Sequence, residues 1–300
     1  MQVSTKLFNE QSINRFSQLN SDIQTLQAKI ATGKNVLKAS DDPVAMVNIS
    51  AAKEKQSQLN RFATNIDRAT SRLNMAEVAI TEMQSAMTRI YELSLQARND
   101  TYNRDDRLSI KAEIASLRDL MLGLANSNDM TGKSLFSGYR TNISPFVEDA
   151  EGRITYKGDQ GSHALPVSET MAVATGISGT SAFMRVRTDE GYTSLFSVVD
   201  QLVEEVEFIG ASDTSLNHIK DSLDHLSINT AKIGALINKA ETQKETISQR
   251  QMVITSALSG IEDADIASLV TKMQSLLVSR EAAQQSYVMI GQQSLFDFLR

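Results

Sequence analysis

The chain has no cysteine and no tryptophan, only 3 prolines and 3 histidines, and no hydrophobic run of membrane-spanning length. Without cysteine there is no disulfide framework, no thiolate metal site and no cysteine nucleophile. That absence suits the cytosol and the outside of a cell equally, so it leaves the compartment open. Met1 to Gln11 carries one lysine and no apolar run, and reads as neither a secretory signal peptide nor a membrane anchor. A subunit with such a start leaves a cell only by a dedicated export route. A surplus of positive charge is also missing: 30 Lys and Arg face 36 Asp and Glu, a formal net charge of −6. That balance repels phosphate backbones and anionic headgroups, so neither nucleic acid nor a membrane surface is expected as a partner.

What is present is helix-forming sequence at both ends. Hydrophobic residues make up 41% of 300 positions, enough for a real core. Eight of the 14 glycines and two of the three prolines lie between Gly132 and Gly191. Phe16, Leu19, Ile23, Leu26 and Ile30 follow the 3,4 spacing of one helical stripe, which Thr32-Gly33-Lys34 ends. Ser40-Asp41-Asp42-Pro43 then starts a second helix, with Pro43 at its first position and Asp42 as cap. From Pro43 to Gly123 neither Gly nor Pro intervenes. Leu59, Phe62, Ile66, Ala69, Leu73, Ala76, Ile80, Met83, Met87 and Ile90 form a heptad stripe on a helix expected to reach Arg98. A helix with Ile110, Ile114, Leu117, Met121 and Leu124 is expected to double back. The stripe of Leu216, Ile219, Leu223, Leu226, Thr230, Ile233, Ile237, Ala240, Ile247, Ile254 and Leu258 is the return leg, interrupted at Thr230, Lys244 and Gln251. A last helix carries Ile266, Leu269, Met273, Leu276, Tyr287 and Ile290, and the chain closes with apolar Phe296 and Leu299.

The expected fold is therefore mainly α, a long antiparallel coiled-coil rod formed by both chain ends with a small inserted β-rich domain. Its expected divisions are a terminal helical domain (1–42 and 260–300), a helical rod (43–131 and 192–259) and the β-rich insert (132–191). Two terminal helices supply a thin core. Phe16, Leu19, Ile23, Leu26, Ile30, Ile266, Leu269, Met273, Leu276, Tyr287, Ile290, Phe296 and Leu299 are accordingly the expected assembly interface, gaining order against other subunits.

Catalytic signals are weak. Gly132-Lys133-Ser134 has the end of a phosphate-binding loop, but Ser127 stands where the leading glycine belongs and helix precedes it, so a turn after a helix is expected. His218 and His225 are seven apart, roughly 10 Å along a helix, too far for one metal, and read as solvated residues on a polar face. Glu262, Asp263 and Asp265 read as carboxylates drawn to a helix's first turn by its dipole. No cofactor, metal or catalytic residue is assigned.

Ala31-Thr32-Gly33-Lys34 through Asp41-Asp42-Pro43 resembles the N-terminal signature of the bacterial flagellin family, and Ile261-Glu262-Asp263-Ala264-Asp265 resembles its C-terminal hallmark. Asn65 to Asn99 is similar to its long core helix, and Ser294 to Leu299 to its closing residues. The family signature is thus carried by Asp41, Asp42, Pro43, Glu262, Asp263 and Asp265. Pro43, Leu135-Phe136-Ser137-Gly138-Tyr139-Arg140-Thr141 and Pro145-Phe146 resemble the branch of the family found between hook and filament. The resemblance implies a structural subunit of the bacterial flagellum outside the cell, exported unfolded by the flagellar type III apparatus with a dedicated chaperone on the C-terminal helix. It further implies a junction ring of copies of itself, touching the first junction protein on one side and flagellin on the other. A short filament flagellin is the alternative within the family, and an enzyme with its site in the β-rich insert the alternative outside it. Arg89, Leu93 and Glu113 match flagellin residues recognised by a vertebrate toll-like receptor, and belong equally to packing of the rod.

Overall fold

The computed structural model describes the backbone of residues 2–99, 101–208 and 210–298, and within these the side chains from residue 6 to residue 289. The fold is mainly helical. Its long helices are α1 (Gln2–Thr32), α2 (Pro43–Ala97), α3 (Arg104–Ala125), α6 (Asp213–Glu262) and α7 (Ile266–Phe298). The chain divides into two units, Met1–Gln58 with Arg250–Arg300, and Leu59–Gln249.

In the larger unit the heptad stripe of α2 is the core. Leu59, Ile66, Ala69, Leu73, Ile80, Met83, Met87 and Ile90 have no exposed surface. After Pro43 at its first position, no Gly or Pro occurs in the 55 residues of α2, so nothing stops helix propagation over roughly 82 Å. Here α6 runs antiparallel to it. Lys244 donates to Asp67 at 2.7 Å, Gln84 to Ser227 at 2.8 Å, and Arg98 pairs with Asp213. As numbers rise on α2 they fall on α6, and polar rungs at the edge of the seam hold that register.

The return stripe departs from expectation at two places. Ser222 and Asn229, not Leu223 and Thr230, are the fully buried residues. Each reaches a carbonyl one turn back: Ser222 donates to His218 O at 2.7 Å and Asn229 to His225 O at 3.0 Å. A small polar side chain that bonds its own helix fits the seam, which leaves Leu223 and Thr230 at its rim. On α3, Asn103 and Asp106 form a reciprocal capping box. Arg118 lies buried on α3, while its neighbour Leu117 is half-exposed. Against α3 packs α5 (Leu195–Phe208), through Leu195, Val198, Val199, Leu202 and Val206.

Between α3 and α5 the glycine-rich segment forms three separate antiparallel hairpins. These are β1 (Phe146–Glu148) with β2 (Ile154–Tyr156), β3 (Ala164–Pro166) with β4 (Ala172–Ala174), and β5 (Val186–Thr188) with β6 (Gly191–Thr193). Phe146 lies opposite Tyr156, and Leu165 opposite Val173. Two-stranded hairpins are marginal alone. Their anchor is aromatic: Phe183, on the short helix α4 (Gly179–Phe183), meets Phe136 at 5.0 Å and Phe146 at 5.6 Å, and Phe146 meets Phe196 of α5 at 5.6 Å between ring centres. Gly179 permits this closeness, since a Cβ there would lie 2.6 Å from the Tyr156 ring and 2.8 Å from Phe136 O. The hairpins' core is thus shared with a helix.

Candidate assembly interface

In the smaller unit α1 packs along α7. The interface residues expected on α1 are covered unevenly. Ile23 and Leu26 are buried, whereas Phe16, Leu19 and Ile30 keep part of their surface. On α7, Leu269, Met273, Leu276 and Tyr287 are half-buried and Ile266 is 41% exposed. Tyr287 stacks on Phe8 at 6.2 Å and meets Phe16 edge-on at 6.1 Å, joining the far ends of the two helices. The side chains of Ile290 and Phe296, and all of Leu299, lie outside the described residues. Most of this stripe is therefore engaged between α1 and α7 without being sealed.

A second apolar set was not legible as a stripe. Leu7, Ile13, Val278, Val288 and Met289 on the terminal helices, and Val44, Val47, Met252 and Val253 at the bases of α2 and α6, are exposed. Val278 and Met289 are eleven residues apart, three helical turns, and so share a face. That face points away from Leu276, two residues from Val278. The signal in the sequence was the apolar content left over once one stripe had been assigned.

The two family signatures, more than 200 residues apart in sequence, meet. α1 stops at Gly33, whose φ of 70° favours glycine, and α2 starts at Pro43. Between them Asp41 accepts from the backbone of Leu37 and Lys38, which hold its carboxyl below the usual carboxylate range. Asp42 accepts from Ala45 N at 2.9 Å and caps α2 as expected. Across from this loop, Asn35 N donates to Glu262 O at 2.7 Å and Ala264 N to Gly33 O at 2.9 Å, with Lys34 opposite Asp263. Glu262 accepts from Lys34 at 2.6 Å and Lys53 at 2.9 Å; these two ammonium groups draw its pKa below the usual range. Beneath lies a small core of Val36, Ile49 and Leu258.

These positions correct one expectation. Glu262 is the last residue of α6, not a first-turn carboxylate. At a helix C-terminus the dipole opposes it, so the two lysines supply what the dipole does not. Asp263 follows, accepting from Ser259, and only Asp265 caps α7, accepting from Ser268 N at 3.1 Å.

Gly132 lies in a loop after α3, as expected. Asp129 accepts there from Thr131 N, Thr131 Oγ1 and Lys133 N. The histidines correct a second expectation: His218 is buried, and His225 lies at 3.0 Å from Ser181 O with burial pushing its pKa down. A helix face that packs on other elements takes histidine as filler. Arg89 binds Glu113 at 2.8 Å and Leu93 is buried, so this trio joins α2 to α3. A cleft of about 740 Å³ beside α2 is lined by Arg68, Arg72, Asp129, Lys133 and His163. Burial opposes charge on Asp129, but bonds from Thr131 and Lys133 and the nearby Arg72 outweigh it and lower its pKa, making it a weak base.

Residues 3–141 match the bacterial flagellin N-terminal helical region and residues 216–299 the C-terminal one. The chain belongs to the bacterial flagellin family. Flagellar hook-associated protein 3 of Salmonella typhimurium is 24% identical over 320 aligned residues, covering 100% of both chains. Its counterpart in Escherichia coli is 25% identical, covering 96% of this chain and 95% of that one. In fold, the chain is similar to the crystal structure of flagellar hook-associated protein 3 from Legionella pneumophila, with a TM-score of 0.66, 16% identity and coverage of 71% of this chain and 98% of that one. This member of the flagellin family is a flagellar structural protein, and the flagellum is an extracellular appendage. Among the described residues no helix is long and apolar enough to cross a membrane.

Proposed function

We propose that the chain forms the junction ring between hook and filament, with copies of itself around the ring, the first junction protein below and flagellin above. The observation that carries the assembly reading is the incomplete seam of α1 and α7, where all the described stripe residues but Ile23 and Leu26 stay part-exposed in the single subunit beside a second set of exposed apolar side chains. Neighbouring subunits would cover both. The similarity to hook-associated protein 3 along the whole chain favours the junction over the filament. In this reading the terminal parts (1–42 and 260–300) line the tube, the rod (43–131 and 192–259) surrounds them and the hairpin segment (132–191) lies outermost. A dedicated chaperone covers the C-terminal helix before type III export.

Deletion of the gene tests this. Cells should keep hooks, lack filaments and release flagellin unpolymerised into the medium, as judged by electron microscopy and immunoblotting. Normal filaments would sink the proposal, and loss of filament without secreted flagellin would favour a short filament flagellin instead.

A further inference from the structure

Both strands of the smaller unit leave the helix at one level. The outgoing strand breaks over residues 33–42 and the returning strand over residues 263–265. Two breaks side by side would leave α1 and α7 free to swing on the bases of α2 and α6. Each break also frees backbone groups that need partners. Glu262 O and Gly33 O, carbonyls at two helix ends, accept from the opposite strand through Asn35 N and Ala264 N. One carboxylate then spans three elements, since Glu262 ends α6, Lys53 lies on α2 and Lys34 lies in the outgoing break. The Glu262 side chain is only 12% exposed, although both lysines are nearly half-exposed.

We infer that Glu262, Lys34 and Lys53 form a clasp that fixes the angle at which the α1 and α7 pair leaves α2 and α6, and that Glu262 is a positioning residue for assembly. Ser259 and Asp263 belong to the same turn, where Ser259 donates to Asp263 and ties the end of α6 to the returning break. The inference uses the junction reading only for its second readout.

A chain without cysteine makes the test clean. Lys34 and Asp263 are antiparallel partners, a spacing of roughly 4.5–5.5 Å between Cα atoms that a disulfide spans. In purified full-length protein carrying Lys34→Cys and Asp263→Cys, Lys53 still holds Glu262. Adding Glu262→Gln should slow disulfide formation by oxidised glutathione, which is reduced to two thiols in the exchange, about tenfold, the effect of losing one charged hydrogen bond, and Lys53→Met should act alike. Equal rates with and without Glu262→Gln, or no disulfide at all in the parent pair, overturn the clasp. The second readout uses the gene-deleted cells. Glu262→Gln alone should restore filaments that shear off severalfold more readily than those restored by the unaltered gene. The triple variant, exported reduced, should hold as well as the unaltered protein once the assembled flagella are oxidised. Oxidised flagella as fragile as those of Glu262→Gln would overturn the inference. If the unaltered gene restores no filaments, the junction reading fails, while the disulfide rates still decide the clasp.

Discussion

Arg118 shows how a charge is kept inside this protein. Its side chain, 11% exposed, donates to Asp200, to Glu148 at 3.0 Å and to Gly152 O at 2.6 Å, so one guanidinium ties α3 to α5 and to the β1–β2 turn. For Arg118, burial opposes the charge but its two carboxylate partners outweigh it; for Asp200, burial wins and raises the carboxyl above its usual range despite Arg118. Both pKa values rise, which favours the charge on Arg118 and disfavours it on Asp200, because Arg118 has several acceptors whereas Asp200 has one donor and the nearby charges of Glu148 and Glu204 against it. Desolvation therefore offsets part of the attraction across the pair. Arg118→Met alone should cost roughly 2–4 kcal/mol, because Asp200 is left part-buried without its partner. Arg118→Met with Asp200→Leu should cost less than about half of that. Chemical denaturation of the purified variants measures both, and equal losses would show that the pair itself is the source of stability. Nothing in the sequence marks Arg118, because a charged residue beside Leu117 in an amphipathic stripe reads as the solvent side of the helix.

At the scale of elements, the stripes of α2 and α7 look alike in sequence and differ in burial. Leu73 and Ile80 have no exposed surface, while Leu269 and Leu276 are half-covered. Aspartate in place of Leu73 or Ile80 buries an unpaired carboxylate, at more than about 4 kcal/mol each, and should unfold the larger unit. Aspartate at Leu269 and Leu276 keeps partial access to water. Monomer folding should survive there while incorporation into flagella fails. Thermal melting and complementation of the deletion distinguish the two, and a Leu269/Leu276 variant that melts as badly as the Leu73/Ile80 variant would assign α7 to the monomer's core. The long helices were legible because the absence of Gly and Pro leaves the 3.6-residue period unbroken. The seam at Ser222 and Asn229 was not, since a polar residue that bonds its own helix carries no hydrophobic signal. Nor was the Glu262 clasp. Carboxylates near a helix boundary fit either side of it, and only the pairing of residues 33–35 with 262–264 shows which side each takes.

The whole molecule distributes its core unequally. Among the described residues the smaller unit buries Ile23, Leu26, Val36, Ile49 and Leu258, whereas the larger unit buries the full α2 stripe, the interior of α5 and an aromatic cluster. Local stability follows buried apolar contact, so the units should open at very different free energies. A building block that completes its ends against neighbours has reason to be arranged so, because a terminal pair stable alone would gain little from assembly. In purified subunit, amides of α1 and α7 should exchange hydrogen through openings of roughly 0–3 kcal/mol, while those of α2 between Leu59 and Leu93 exchange only near the global unfolding energy. In isolated flagella the same α1 and α7 amides should slow by at least about a hundredfold, equal to about 2.7 kcal/mol contributed by neighbours. Hydrogen exchange read by mass spectrometry follows both states with the same peptides. Equal protection of α1, α7 and α2 in the monomer would place the terminal pair within one cooperative core, and the part-exposed stripe would then be ordinary surface and no interface.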